Sequence, residues 1–140
     1  FKGKAVTDKD IEYRDLLLID IDRVGSPKHP ATEKEVKAAK QLAKKIVTYL
    51  ASLGWPIPVQ MMSGNGWHVY YQLDDLVNDK ETTELIKLVL KLLAKRFNNS
   101  EVSIDTVVYN ASRITKVPGT VMRKGEETED RPYRMAVVHE

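Results

Sequence analysis

The stretch LLLIDID, residues 16–22, is an apolar run that ends in two carboxylates. In an extended strand successive side chains alternate between faces, so Asp20 and Asp22 project to one side while Ile21 points to the other. Two carboxylates in one small volume repel each other unless a proton or a cation neutralises them, and oxygen ligands at this spacing suit Mg²⁺ or Mn²⁺. The stretch therefore predicts a strand with one core face and one metal-binding face.

Downstream of this strand the sequence alternates between helical and extended patterns. Thr32 and Glu35 form a capping-box signature that predicts a helix to about Leu53. A second helix is predicted from about Glu81 to Phe97, with an apolar stripe facing the core. That stripe consists of Leu85, Leu88, Val89, Leu92 and Leu93, widened by Ile86 and Leu90. Further strands are predicted at Val59–Met62, Trp67–Leu73 and Val102–Asp105, with additional candidates at Ser112–Val117 and Tyr133–Val138.

The resulting order is strand, helix, strand, strand, helix, strand. This is the α+β arrangement of ferredoxin-like and RRM-like β-α-β-β-α-β cores, an antiparallel sheet with both helices on one face. The opposite face stays open. Asp20, Asp22, His68 and Asp105 are expected to emerge together on that open face, so the site is predicted there.

Length and composition restrict the class of protein. The 140 residues form one predicted domain, 1–140, with a net charge of only +2. Cysteine is absent and the three His are scattered, which excludes disulfide scaffolds and thiolate zinc sites. No apolar run approaches the length of a membrane span, and we expect a cytoplasmic monomer. The sequence starts at Phe1 without an initiator Met, so we expect a piece of a longer chain without its flanking modules.

The turn SGNGWH, residues 63–68, is the second motif with chemical content. Small residues let backbone N–H groups approach an anion closely, so Ser63, Gly64 and Asn65 are candidate phosphate-binding residues. His68, on the open face, is expected to donate hydrogen bonds to phosphate oxygens. An ordinary hairpin turn with a half-buried His is the competing interpretation.

Basic residues near the third acidic motif extend the anion-binding prediction. Arg113 and Lys116 follow Asp105, and the guanidinium fork of Arg113 matches the oxygens of a triphosphate. Lys124 and Arg131 flank an acidic loop and are candidates for contacts to nucleic-acid phosphates, although plain solvated surface charge is the competing interpretation.

Taken together, these motifs resemble the archaeo-eukaryotic primase superfamily, and more narrowly the small primase-polymerases of plasmids, phages and CRISPR loci. The resemblance covers nearly the whole chain. It rests on the acidic strand, on the 63–68 turn, on Asp105, and on the segments Asn110–Arg113, Pro118–Thr120, Lys124–Gly125 and Arg131–Pro132.

The resemblance implies a DNA primase or DNA polymerase, a nucleotidyltransferase acting in DNA replication. Asp20, Asp22 and Asp105 would be its catalytic ligands for two Mg²⁺ or Mn²⁺ ions, and Ser63, His68 and Arg113 would bind the nucleotide triphosphate. Its partners would be nucleoside triphosphates, either dNTP or NTP, with a single-stranded DNA template and primer.

Three other functions share this topology. A strand-nicking replication initiator needs a metal-binding His pair and a Tyr nucleophile, and the sequence has no such pair. A non-catalytic RRM-like nucleotide- or RNA-binding module favours aromatic residues where this chain has Asp20 and Asp22, and carboxylates there would repel RNA. A nucleotide-binding regulatory domain is harder to separate from an enzyme by sequence.

Overall fold

The computed structural model describes residues 3–25 and 28–139. Within these ranges, none of the helices is both long enough and apolar enough to cross a membrane. A short 3₁₀ turn, Asp8–Asp10, precedes the first strand. The strands and helices that follow are β1 (Tyr13–Arg23), α1 (Glu33–Ser52), β2 (Val59–Met62), β3 (Trp67–Val77), α2 (Lys80–Phe97), β4 (Val102–Ile104), β5 (Val121–Met122), β6 (Arg134–Met135) and β7 (Val137–His139).

The main sheet has the strand order β4-β1-β3-β2-β7, with every neighbouring pair antiparallel. Both helices pack on one face of it and enclose the hydrophobic core. The predicted fold class, an α+β ferredoxin-like core with one open sheet face, is therefore confirmed. β5 and β6 form a separate two-stranded ribbon.

Alternation along β1 separates the core from the open face. Leu17, Ile19 and Ile21 are at most 3% exposed and pack beneath the helices. A bulge between Arg14 and Leu16 interrupts this alternation and turns Arg14 towards the helix side as well. There its guanidinium donates hydrogen bonds to Asn78, Thr83 and the Tyr109 carbonyl.

The first helix begins as predicted. The Thr32 hydroxyl accepts a hydrogen bond from the Glu35 amide, and the Glu35 carboxylate accepts one from the Thr32 amide at 2.7 Å. This reciprocal capping box satisfies two N–H groups that the first turn would otherwise leave unpaired. The helix ends at Ser52, one residue before the predicted end.

The predicted core stripe of α2 is partly wrong: Leu93, Ile86 and Leu90 are in the core and Val89 packs against it, but the other three predicted leucines are not. Ile86, Leu90, Leu93 and Ala94 are buried, whereas Leu85, Leu88 and Leu92 are each more than half exposed. The helix has apolar residues around most of its circumference, so their spacing alone could not identify the side that faces the sheet.

Two predicted strands near the C-terminus also differ. Residues 112–117 form a loop, held by side chains: Asp8 accepts hydrogen bonds from Ser112, and Tyr70 hydrogen-bonds Thr115. The second predicted strand, 133–138, is divided into β6 and β7 at Ala136. The buried Ala136 exchanges backbone hydrogen bonds with residues 119 and 120 instead of with a strand.

Candidate active site

A cleft of about 370 Å³ opens on the exposed face of the sheet, at the C-terminal end of β1. Most of the predicted site residues line it, although they come from four separate parts of the chain. The lining includes Asp20, Asp22, Ser63, Asn65, His68, Asp105, Arg113, Lys116 and Lys124. The sequence predicted that the Asp20–Asp22 strand end, the 63–68 turn and Asp105 meet on this face, and the structure brings residues of all three to the cleft.

Asp20 and His68 face each other across the β1–β3 pair. The Nε2 atom of His68 lies 3.2 Å from Oδ1 of Asp20, but without the alignment of a hydrogen bond. Oδ1 of Asp20 is buried and accepts no hydrogen bond from the described residues. A buried carboxylate oxygen without a donor is costly unless a further partner completes it, and a cation would do so.

Asp22 has the most perturbed carboxyl of the cleft. Its pKa is raised from 3.8 to about 6, first because the cleft walls partly desolvate the carboxyl, then because the charge of Asp20 lies close. The residue as a whole is nonetheless solvent-exposed, so it remains accessible to a ligand. His68 and Lys124 act in the opposite direction and lower this pKa.

Gly66 lets the turn approach Asp22 closely. A Cβ atom on Gly66 would lie 2.2 Å from Oδ1 of Asp22 and 2.2 Å from the Ile21 carbonyl oxygen, distances that real Cβ atoms do not show. Ser63 closes the same turn, because its backbone amide and hydroxyl both hydrogen-bond Gly66. The absence of a side chain at Gly66 therefore fixes the distance between the 63–66 turn and the acidic strand.

Asp105 completes the acidic side of the cleft. Its backbone amide donates a hydrogen bond to the Asp20 carbonyl at 2.9 Å, while its Oδ1 accepts one from the Val107 amide at 2.8 Å. In the described ranges no three His, Cys, Asp or Glu side chains form a preassembled metal-binding set. The oxygen donors, the unpaired Oδ1 of Asp20 and the raised pKa of Asp22 nevertheless fit the chemistry of a hard divalent cation.

The basic side of the cleft comes from the chain after Asp105. Arg113 is exposed and hydrogen-bonds the Val107 carbonyl through one guanidinium nitrogen, and Lys116 donates to the Val121 carbonyl. Lys124 is exposed at the cleft wall, close enough to Asp22 to lower its pKa. These three cations line the same cleft as the carboxylates, so groups of both signs are available there to a charged ligand.

Three other predicted ligands have structural partners. Arg131 does not line the cleft; it pairs with Glu35 at 2.9 Å and donates to the Pro30 carbonyl. Asn65 accepts a hydrogen bond from the Ala31 amide while still lining the cleft. Gly64, with a φ of +106°, does not line the cleft: its Cα packs against Met122, and its backbone amide donates a hydrogen bond to the Met62 sulfur at 3.0 Å.

Comparison with solved structures identifies one fold relative. It is the polymerase domain of Mycobacterium tuberculosis Ligase D in complex with DNA, with a TM-score of 0.54 and 21% sequence identity. The match covers 86% of this chain but only 44% of that structure. This similarity shows that the chain shares its fold with part of that polymerase domain. No protein-family model and no curated protein matches the sequence.

Two residues beside His68 carry hydroxyls that the sequence prediction did not assign to the site: Thr115, which lines the cleft, and Tyr70, which lies next to it. The Tyr70 hydroxyl lies 2.9 Å from Nδ1 of His68 and 2.7 Å from the Thr115 hydroxyl. Tyr70 could have been found, because it shares a strand face with His68 two residues away. Thr115 could not, because it belongs to a loop whose path depends on tertiary contacts.

Proposed function

We propose that this chain is the catalytic core of a template-directed nucleotidyltransferase of the primase-polymerase type. The observation that carries the proposal is the cleft itself, which is lined by Asp20, Asp22 and Asp105 together with Arg113, Lys116 and Lys124. Its fold is similar to that of a polymerase domain whose structure contains DNA. Joining nucleotides on single-stranded DNA requires such a combination of acidic and basic groups.

Asp20 and Asp22, with Asp105, would hold Mg²⁺ or Mn²⁺, which when bound would activate the attacking hydroxyl and stabilise charge on the phosphate. The other residues have separate tasks. Arg113, Lys116 and Lys124 would neutralise the triphosphate. In the 63–66 turn the amides of Ser63, Gly64 and Gly66 already donate to Gly66, Met62 and Ser63, so the Asn65 amide would be the backbone donor to a terminal phosphate. The products would be a chain one nucleotide longer and pyrophosphate.

The imidazole of His68 lies between two groups: Tyr70 hydrogen-bonds its Nδ1, and Oδ1 of Asp20 lies 3.2 Å from its Nε2. Its Nε2 edge faces Asp20, and a phosphate oxygen entering the cleft would compete for the same edge. We therefore assign His68 a dual task, in which it shields the Asp20 carboxylate before the nucleotide arrives and donates to phosphate afterwards.

The direct test is synthesis. The protein is incubated with single-stranded template, nucleotides and Mn²⁺, with and without a primer, and products are separated by length. Asp22→Asn should abolish synthesis. Asp74→Asn, the same change on an exposed position of β3 away from the cleft, should leave it intact. Nucleotide binding without synthesis under all conditions would favour a non-catalytic nucleotide- or RNA-binding module instead.

A further inference from the structure

A second groove continues from the cleft along β1, towards the N-terminal half of that strand. Its volume is about 290 Å³, and it shares Leu18, Val108, Arg113 and Thr115 with the cleft. The two depressions are therefore one continuous surface feature. The cleft carries the three carboxylates, whereas most of the residues that line the second groove are apolar or aromatic.

Apolar and aromatic side chains make up most of the lining of the second groove, and its polar members are Arg14, Asp15, Asn110, Arg113 and Thr115. Tyr13 and Leu16 are 53% and 56% exposed, and Leu18 and Tyr70 contribute half-buried side chains. The β1 bulge places Tyr13 and Leu16 on the open face together. Arg14 also lines the groove, but its guanidinium is buried and engaged with Asn78, Thr83 and Tyr109. A surface of this kind binds flat, weakly polar groups better than phosphates.

The spacing between the two parts matches one nucleotide. Asp20, Leu18 and Leu16 lie on the same face of β1, and four residues of strand separate Asp20 from Leu16 by about 13 Å. A phosphate held at Asp20 and Asp22 would therefore place an attached sugar and base over Leu18 and Leu16. The terminal phosphates of a triphosphate would then extend away from Leu16, towards the 63–66 turn and Lys124.

We propose that Tyr13, Leu16, Leu18 and Tyr70 form a subsite for a nucleoside unit, the sugar and base adjacent to the reacting phosphate. This subsite rests on the proposed function. The sugar and base in this subsite could belong to the incoming nucleotide or to the 3′-terminal nucleotide of the primer. The experiment below distinguishes the two.

The test is Leu16→Glu, which puts a carboxylate into the groove at an exposed position. Its matched control is Leu88→Glu on α2, where the leucine is 53% exposed and far from the sheet face. Calorimetry with Mg²⁺ would compare a nucleoside triphosphate with inorganic tripolyphosphate. Leu16→Glu should weaken nucleoside triphosphate binding about tenfold or more, while tripolyphosphate binding stays unchanged. Leu88→Glu should change neither.

The arms of the experiment separate the two nucleoside sources. Weakened triphosphate binding without a primer assigns the groove to the incoming nucleotide. An unchanged triphosphate affinity with a KM for primer raised about tenfold assigns it to the primer terminus. If Leu16→Glu behaves like Leu88→Glu in both assays, the subsite does not exist. If the wild type makes no product but its triphosphate binding depends on Leu16, the subsite stands and the polymerase function falls.

Discussion

The hydroxyl of Tyr70 lies 2.9 Å from Nδ1 of His68, and Nε2 of the same ring lies 3.2 Å from Asp20. One tautomer suits both neighbours, although Nε2 and Oδ1 of Asp20 are not aligned for a hydrogen bond. If Tyr70 donates to Nδ1, the proton of the neutral imidazole is on Nε2 and faces the carboxylate; the other tautomer would aim a lone pair at it. The Tyr70 hydroxyl also shares a hydrogen bond with the Thr115 hydroxyl, in which either oxygen can donate, so the ring is coupled to the loop that carries Arg113 and Lys116.

Tyr70→Phe removes this hydroxyl and keeps the ring. We expect the His68 tautomer equilibrium to shift, visible in the nitrogen chemical shifts of the imidazole, and triphosphate binding to weaken about three- to tenfold, the worth of one hydrogen bond. Nucleotide binding is measured by calorimetry.

Tyr71→Phe is the matched control on the next residue. The Tyr71 hydroxyl is buried and has no hydrogen-bond partner among the described residues, and burial raises its pKa. Removing it should leave His68 unchanged and hold or increase the melting temperature. Equal effects of the two substitutions on triphosphate binding would show that Tyr70 does not position His68.

Asp22 gives the apoprotein an unusual dependence of stability on pH. Because its pKa is raised to about 6, the folded state binds more protons than the unfolded chain between about pH 4 and 6. The free energy of unfolding should therefore decrease as the pH rises through this window, in the absence of divalent metal. Asp22→Asn should abolish that decrease and melt at or above the wild-type temperature at pH 7.

Added Mg²⁺ or Mn²⁺ should raise the melting temperature of the wild type at pH 7 and have a smaller effect on Asp22→Asn. Thermal melts over a pH series, with chelator and then with metal, measure both effects. A wild-type melting temperature that does not respond to metal would contradict the assignment of these carboxylates as ligands.

Glu35 should show the opposite pH dependence. Burial alone would raise its pKa, but the Thr32 amide and the guanidinium groups of Arg131 and Arg23 lower it to about 2. Its stabilisation is thus fully present above about pH 4.5 and is lost as the pH falls towards 2. Glu35→Gln should lower the free energy of unfolding at pH 7 by about 1.5–3 kcal/mol, and the difference from wild type should shrink in acid.

Glu33→Gln is the control, since Glu33 has an 86% exposed side chain at the same helix end. It should change stability little at any pH. An equally large destabilisation by both substitutions would mean that the general charge at the helix N-terminus, rather than the Arg23–Glu35–Arg131 cluster, holds this region together.

Some parts of this fold could be predicted from the sequence and others could not. The strand around Asp20, the capping box at Thr32 and the topology were predictable, because alternation and capping are local patterns. The core side of α2 was not, since Leu85 and Leu90 are equally apolar and only the packed sheet distinguishes them. The 105–120 loop was not either, because Tyr70, Arg14 and Asp8 hold it from distant positions.

Gly66 tests how closely the turn must approach the acidic strand. Gly66→Ala would push Asp22 and the Ile21 carbonyl away, so we expect nucleotide addition to fall at least tenfold. Gly119→Ala is the comparison: its methyl meets no atom within 4 Å, although its φ of +81° makes the substitution cost about 1 kcal/mol. Full activity of Gly66→Ala, measured by primer extension, would show that the approach is not needed for catalysis.

Lys124 and Arg131 were predicted together as nucleic-acid contacts, and the structure gives them different surroundings. Lys124 is exposed at the cleft wall, whereas Arg131 is paired with Glu35. Lys124→Ala should therefore weaken single-stranded DNA or triphosphate binding and reduce the log–log salt slope for DNA by about 0.7 if it contacts one phosphate. Arg131→Ala should lower the melting temperature more than Lys124→Ala and leave the slope unchanged, because its guanidinium is held by Glu35 and the Pro30 carbonyl and does not line the cleft. If the salt slope instead depends on Arg131 and not on Lys124, the DNA path crosses the N-terminal end of α1, and the cleft wall serves only the nucleotide.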